Sequence, residues 1–557
     1  MSSESQEQHL AADDIPHPDP SEQPEPGGGR QPSLPMNVFA SLLANGLYLF
    51  SRLFIPPMAL VYVSLEMWGI WGFCFVLIGY FGMGAFGISN AYIRFVGVYY
   101  AQGNIDRINR LVSTGLAITC SAAVVVLIGL YFSLDWLVLK LKVSEDLHDT
   151  AFVLLYGTVA VFMLDLTFGA FQYVLTGLQR IVAERFVYIA SFMLEWVLIL
   201  GLLWFDYGIY ALLYAFAARY VFSTIAYVIL TYRALPGFKV SPFLVDRTCF
   251  DYFIKFGGVV QATGLLAMFV GSVHRLLAGF VMNVEMVGLF DLGEKFPRMA
   301  TAIPGSVNHA LFPAATALEQ GGTAEDLSDL YLNSGRYTSL ITGVIMGFLA
   351  CFSFSIISAW VGPDPKFTLA AIMMSMFTLP VQFHTLSGPA TSMFKGIGKP
   401  WREFYFPVIH LAVLIACIPV GWYLFQESAG NDELQRQNTM NLAILVCVAQ
   451  TIASFIYMYY ANAKFGISQI RYLVHVVWPG LAPYLVGAVL YFATLPIFTP
   501  FHGDRWPTLA ILIVVGVVYV LLNLGVCWYF FQEGERDRVR GIIGKVVAVV
   551  KEKLARG

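Results

Sequence analysis

Five cations stand inside stretches of the chain that are otherwise apolar: Arg52, Arg219, Arg275, Lys295 and Arg298. Left at the middle of a bilayer, each costs roughly 2.5 to 3.5 kcal/mol on insertion scales. Each must therefore face a protein interior or a water-filled cavity. Guanidinium groups held there grip phosphate through paired hydrogen bonds, which points to an anionic head group as ligand. Four acids share the same depth: Asp165, Glu195, Asp291 and Glu294. Two chemistries are open to them. They can neutralise the cations: Asp291, Lys295 and Arg298 fall on one helix face, with Asp291 in reach of Lys295 and Glu294 in reach of Arg298 one turn on. Asp165 and Glu195 have Arg52 or Arg219 as partners. Alternatively, a buried carboxyl carries a proton or binds sodium and couples transport to an ion gradient. His274, His384 and His410 also lie in apolar runs, as interior histidines or as proton relays.

Other chemistries find no motif. The sequence holds no Walker A segment, no H-E-x-x-H, no G-x-S-x-G and no Cys/His cluster. Its seven cysteines form no C-x-x-C pair and sit in or beside apolar runs, as small buried residues do. The expectation is a transporter and not an enzyme, with no cofactor or metal and with proton or sodium as coupling ion. The basic residues track loops at membrane faces and not a groove, so no nucleic-acid partner is expected.

The elements that must position these charges are membrane spans. Of 557 residues, 58% are hydrophobic and only 12% charged, against about 25% charged in a soluble domain. Runs long enough to cross a bilayer, which takes about 20 residues, fall near 37–62, 67–98, 109–132, 148–176, 181–204, 208–232, 251–280, 284–313, 329–360, 367–394, 401–425, 438–462, 473–497 and 507–531. The fold expected is all-α and integral to the membrane, with fourteen transmembrane helices. One set of loops holds most of the basic residues, from Arg107 and Arg110 through Lys464 and Arg471. The other holds only Lys140, Lys142, Lys366, Arg436 and Arg505. The positive-inside rule then places both termini in the cytoplasm.

The two halves repeat at a shift of 218 or 219 residues. Leu65-Glu66-Met67-Trp68-Gly69-Ile70-Trp71 matches Val284-Glu285-Met286-Val287-Gly288-Leu289-Phe290, and Gly177-Leu178-Gln179-Arg180 matches Gly396-Ile397-Gly398-Lys399. Ala44-Asn45-Gly46-Leu47 and Gln102-Gly103 have counterparts in the same order. Six spans per repeat preserve orientation, so the repeat is parallel, with two six-helix lobes about an axis along the membrane normal and a cavity between them. The domain organisation expected is a disordered, acidic, Pro-rich cytoplasmic tail at 1–35, an N-lobe at 36–235, a C-lobe at 250–465 and two extra C-terminal helices at 472–531. The segment 535–557 reads as a basic amphipathic helix for the anionic inner leaflet, or as a partner-binding or solvated tail helix.

Four segments carry a family resemblance: Asn45 to Arg52 followed by Pro56, Val287 to Pro297 in a run that leads to Pro313, Phe171-Gln172 with Gly177 to Arg180, and Phe394 to Lys399. They resemble the polysaccharide transporter family, the flippases for lipid-linked O-antigen and exopolysaccharide repeat units. That family lies within the multidrug/oligosaccharidyl-lipid/polysaccharide exporter (MOP) superfamily. The resemblance covers roughly residues 36–530. It implies an inner-membrane flippase that moves a polyprenyl-diphosphate-linked oligosaccharide by alternating access, with the head group in the cationic cavity and the polyprenyl tail in the membrane lipids. It also implies a polysaccharide polymerase and a chain-length regulator as partners. Two other functions compete. One is an ion-coupled multidrug efflux antiporter of the same superfamily, whose cavity for organic cations should offer acids without surplus cations. The other is an integral-membrane glycan polymerase or ligase, which should carry a large outer loop. The longest outer loops here, near 133–147 and 426–437, are short.

Overall fold

In hydrocarbon, backbone polar groups must be satisfied within their own segment, and the apolar runs fold accordingly as helices. The structure, a computed structural model, describes residues 46–47, 51–82, 88–425, 431–501, 503–531, 533–537 and 540. The acidic tail at 1–35 and residues 541–557 of the expected amphipathic helix lie outside the described residues. After a helical segment at 51–59, the main helices are α1 (Leu65–Gly82), α2 (Ile88–Ala101), α3 (Ile105–Lys140), α4 (His148–Phe168), α5 (Ala170–Gly177), α6 (Ile181–Trp204), α7 (Tyr210–Ala234), α8 (Arg247–Leu277), α9 (Val284–Ala300), α10 (Ala302–Gly321), α11 (Ala324–Cys351), α12 (Ser353–Val361), α13 (Thr368–Thr385), α14 (Ser387–Gly396), α15 (Tyr405–Leu424), α16 (Asp432–Lys464), α17 (Trp478–Phe498) and α18 (Arg505–Phe530). Every regular element among the described residues is helical.

Ten of these helical runs are long and apolar enough to cross a membrane, and α11 with α12, bent by 73° at Phe352, makes an eleventh. The chain is a multi-pass membrane protein. The other three expected spans differ for separate reasons. In the first, at 37–62, residues 37–45 and 48–50 lie outside the described residues. The seventh is helical and includes the apolar stretch Met268–Met282, while the eighth is split at Thr301 and loaded with charge. Two more expected spans are broken where the apolar run gives no sign of it, at Gly169 between α4 and α5 and at Leu386 between α13 and α14.

Chain contacts divide the molecule into two compact units: one of residues 1–52, 77–135 and 152–265, the other of 53–76, 136–151 and 266–557. In the first, Tyr92 and Val96 of α2, Leu111 of α3, Val174 of α5 and Tyr227 of α7 share a core. In the second, Tyr331 of α11, Phe394 of α14, Phe406 of α15 and Tyr457 of α16 do so. The α17 helix packs along α11 and against α18.

Local geometry keeps the 219-residue spacing inside each unit. Helices start at Leu65 and Val284, and again at Ile105 and Ala324; others end at Gly177 and Gly396. The turns after Gly177 and Gly396 are alike: Gln179 and Gly398 are left-handed (φ 60° and 68°), the Arg180 amide donates to Leu175 O at 2.9 Å, and the Lys399 amide donates to Phe394 O at 2.8 Å. This six-to-one bond closes a Schellman motif, and glycine is the residue it ordinarily selects. The glycines before these turns also make equivalent close approaches. A Cβ on Gly177 would sit 3.0 Å from Ile93 O, and one on Gly396 would sit 2.7 Å from Phe312 O.

A close backbone crossing lies within the second unit, between α1 and α9. A Cβ on Gly69 would fall 2.0 Å from Val284 O, and one on Gly288 would fall 3.2 Å from the Gly69 Cα. Backbone on backbone leaves no side chain to give way, so the cost is that of overpacking, about 1–3 kcal/mol. Gly69→Ala is expected to lower the thermal midpoint of the purified protein. Gly201→Ala, where no other group lies within 4 Å, is expected to leave it unchanged, and equal midpoints for the two variants would contradict the crossing.

Candidate functional site

The charged residues singled out by the sequence gather in two clusters, one in each unit. In the first unit, Arg219 of α7 donates to Glu195 of α6 at 3.0 Å, and both side chains are nearly fully buried. Its guanidinium lies 3.7 Å from the Phe192 ring centre and 4.8 Å from that of Tyr220. Asp165 of α4 lies within electrostatic reach of Arg219, and Arg52 within reach of Tyr220. Arg219 is thus walled in by its acid and by aromatic faces, an arrangement that stabilises a desolvated cation.

The second cluster is built on α8 and α9. A five-residue π turn, Ala278–Met282, joins them, and Asn283 then caps α9 by accepting from the Met286 amide at 3.1 Å. The turn of α9 then places Asp291, Glu294, Lys295 and Arg298 along one side, facing His274 and Arg275 of α8. Glu294 is the hub. Its carboxylate accepts from Arg275 at 2.8 Å and pairs with Arg298 Nε at 2.7 Å, and its other oxygen meets His274 Nε2. Asp291 pairs with Lys295 at 2.8 Å and lies 3.9 Å from Arg275. Lys295 also lies 5.4 Å from the Trp68 ring centre. Both pairs foreseen from one-turn spacing are formed. Three cations against two acids leave the cluster with one net positive charge.

The cations are not equivalent. The Arg275 and Lys295 side chains are 14% and 16% exposed, whereas that of Arg298 is 45% exposed. Besides Glu294, Arg298 donates to Gly271 O at 2.6 Å. It lines a cavity of about 400 Å³ within the second unit, together with His274, Glu294, His384, His410 and Gln450. Phe377, Phe406, Val270 and Val446 supply apolar wall. A pocket of this volume, mostly apolar with a few convergent polar groups, is the usual form of a small-ligand site. The His384 and His410 rings flank Phe406 at 4.8 and 5.9 Å.

With the site laid out, the comparisons with known proteins can be read. A family model described as "Polysaccharide biosynthesis protein" matches residues 155–364. Similar solved structures include the lipid II flippase MurJ in an inward closed conformation, at 16% identity, covering 89% of this chain and 99% of that one with a TM-score of 0.64. They also include an inward-facing multidrug resistance MATE family transporter of the MOP superfamily, at 14% identity over 77% of this chain and 94% of that one, TM-score 0.57. The chain shares its fold with these two solved transporters. A further MOP transporter, from Pyrococcus furiosus and described by the reverse polarity of its binding pocket, aligns at 12% identity over 77% of this chain and 93% of that one, TM-score 0.51. A comparison with curated protein sequences gives no match. The family match agrees with the polysaccharide transporter resemblance read from the sequence, and it takes in Asp165, Glu195 and Arg219 of the first cluster and the α8–α9 charges of the second.

Sequence reading passed over Arg336 of α11 and Glu184 of α6, two further buried charges. Arg336 pairs with Glu535 beyond α18, and Glu184 accepts from Gln172 at 2.6 Å and pairs with Arg185. Neither Gln450 nor the two cavity phenylalanines carries any signal in a single sequence, since each comes from a different helix.

Removing one member of a buried pair costs about 3–5 kcal/mol, because the other charge is left uncompensated. Glu195→Gln alone and Arg219→Met alone are therefore both expected to lower the thermal midpoint. The double variant is expected to recover most of the loss. Additive losses in this cycle would show that the two side chains act independently.

Proposed function

We propose that the chain is a flippase that translocates a polyprenyl-diphosphate-linked oligosaccharide repeat unit, of the O-antigen or exopolysaccharide kind, across the bacterial inner membrane for polysaccharide biosynthesis. The observation that carries this reading is the surplus positive charge of the α8–α9 cluster, with Arg298 half exposed on a cavity wall. A diphosphate diester carries fixed negative charge and suits a guanidinium. Arg298 is the first contact in this reading, and Arg275 and Lys295 set the potential around it. The family match to polysaccharide biosynthesis proteins and a fold shared with a lipid II flippase support the substrate class. Two parallel six-helix lobes, related by an axis along the membrane normal, rock against each other to give alternating access. Both termini are cytoplasmic, and a polymerase and a chain-length regulator take over the product. Proton or sodium drives the cycle.

Multidrug antiport is the second reading, since MATE transporters share the fold. Binding an organic cation calls for acids free to receive it. Glu195, Asp291 and Glu294 are each held by a cation of the chain itself, which favours the anionic ligand. A glycan polymerase or ligase finds no support in the fold.

Deletion of the gene is expected to leave oligosaccharide diphospholipid accumulating on the cytoplasmic face, detected by lipid extraction and mass analysis. Arg298→Ala is expected to fail to clear it at wild-type protein levels. Sensitivity to amphiphilic drugs without any accumulated lipid-linked sugar would favour antiport.

A further inference from the structure

The acids of the second unit are committed to cations, yet three titratable imidazoles line the cavity beside them, and two of these have a ring nitrogen unpaired among the described residues. His274 of α8, His384 of α13 and His410 of α15 all line it. Nδ1 of His274 and Nε2 of His410 are buried and have no hydrogen-bond partner among the described residues. His274 is 2% exposed and His410 6% exposed overall, so bulk water does not solvate these nitrogens. A buried polar atom left unsatisfied costs about 1–3 kcal/mol, so these two rings gain by turning toward a partner in the cavity that they line.

The surroundings decide which partner. On α8 and α9, the charged groups near the cavity are Arg275, Asp291, Glu294, Lys295 and Arg298. The other titratable side chains are His384, His410 and, on α16, Cys447, which feels the charge of Glu294. Glu294 is already shared between two guanidiniums and His274, so it offers nothing to an incoming cation. No trio of His, Cys, Asp or Glu among the described residues has the arrangement of a metal site. What remains is an anion held by Arg298, with imidazole N–H groups as further donors and apolar walls beyond them. Each imidazole that takes up a proton adds positive charge next to Arg298 and turns an acceptor nitrogen into a donor.

We propose that His274, His384 and His410 make this cavity a proton-linked anion site, in which a phosphodiester-type anion and protons bind together. The identification of that anion with a transported head group rests on the flippase reading, but the linkage between proton and anion does not. It places proton binding in this cavity on the histidines, because Asp291 and Glu294 are neutralised where they stand. The ligand chemistry is a phosphodiester or diphosphate diester on an apolar body, either free in solution or borne by a lipid.

The test uses the purified full chain in detergent and two probes of fixed single charge. Dibutyl phosphate represents the free anion, and dihexadecyl phosphate in mixed micelles represents the lipid-borne one. Binding of at least one probe is expected to tighten about tenfold between about pH 8 and pH 6, with proton uptake, as imidazole charges beside the anion. Which probe binds tighter identifies the source. His384→Asn combined with His410→Gln is expected to bind more weakly than the wild type and to gain clearly less on acidification, the remaining gain being carried by His274. Its thermal midpoint, compared with that of the wild type, reports whether the variant is folded. Arg298→Gln is expected to lose binding at both ends. A wild type that binds neither probe, or a double variant that keeps the full pH dependence, would overturn the proposal. Loss of flipping in cells with pH-linked binding intact would instead count against the flippase reading alone.

Discussion

Glu294 is the residue on which the second unit's polar interior depends. An unpaired charge within an apolar span is expensive, and this carboxylate brings Arg275, Arg298 and His274 into one compensated cluster. The π turn after α8 and the asparagine cap before α9 exist in the right places to make that meeting possible. Once Glu294 is saturated from three sides, the cluster cannot act as a cation site. Its remaining reach toward ligand is the exposed part of Arg298. Under the proposed function, electrostatics selects the sign of the ligand before any question of its identity arises.

The backbone supports this with close approaches in place of side-chain packing. The α1–α9 crossing at Gly69 and Gly288 brings the helix that carries the charges against the one that carries Trp68, whose ring lies near Lys295. A comparable crossing joins α11 to α17, where a Cβ on Gly343 would lie 2.0 Å from Gly480 O. Small residues at such points allow helices without water-driven packing to associate through direct backbone contact. The recurrence of one turn geometry after Gly177 and Gly396 shows that equal spacing in sequence carries equal local structure.

Much of this was legible from the residues alone, and for identifiable reasons. Helices follow from apolar runs because hydrocarbon leaves the backbone no other solution. The Asp291–Lys295 and Glu294–Arg298 pairs follow from one-turn spacing, which is a local property. The matching glycines were visible as matching letters. By contrast, the Arg275–Glu294 and His274–Glu294 contacts join two helices, and their partners lie 19 and 20 residues apart with no periodicity to announce them. The convergence of His384 and His410 on Phe406 depends on how α13 and α15 pack. The breaks at Gly169 and Leu386 lie inside uninterrupted apolar runs and were invisible for that reason. Arg336, which meets a residue 199 positions away, was overlooked because its partner lies beyond the last span.

The central claim is that a net positive, partly apolar interior handles an anionic head group carried by a lipid. The most direct measurement is reconstitution of the purified chain into vesicles containing a fluorescent polyprenyl-diphosphate oligosaccharide, with a membrane-impermeant sugar-binding protein added outside. The account predicts that lipid initially shielded in the inner leaflet becomes accessible faster than in protein-free vesicles. Exposure at the protein-free rate, together with movement of an amphiphilic organic cation by the same vesicles, would contradict it.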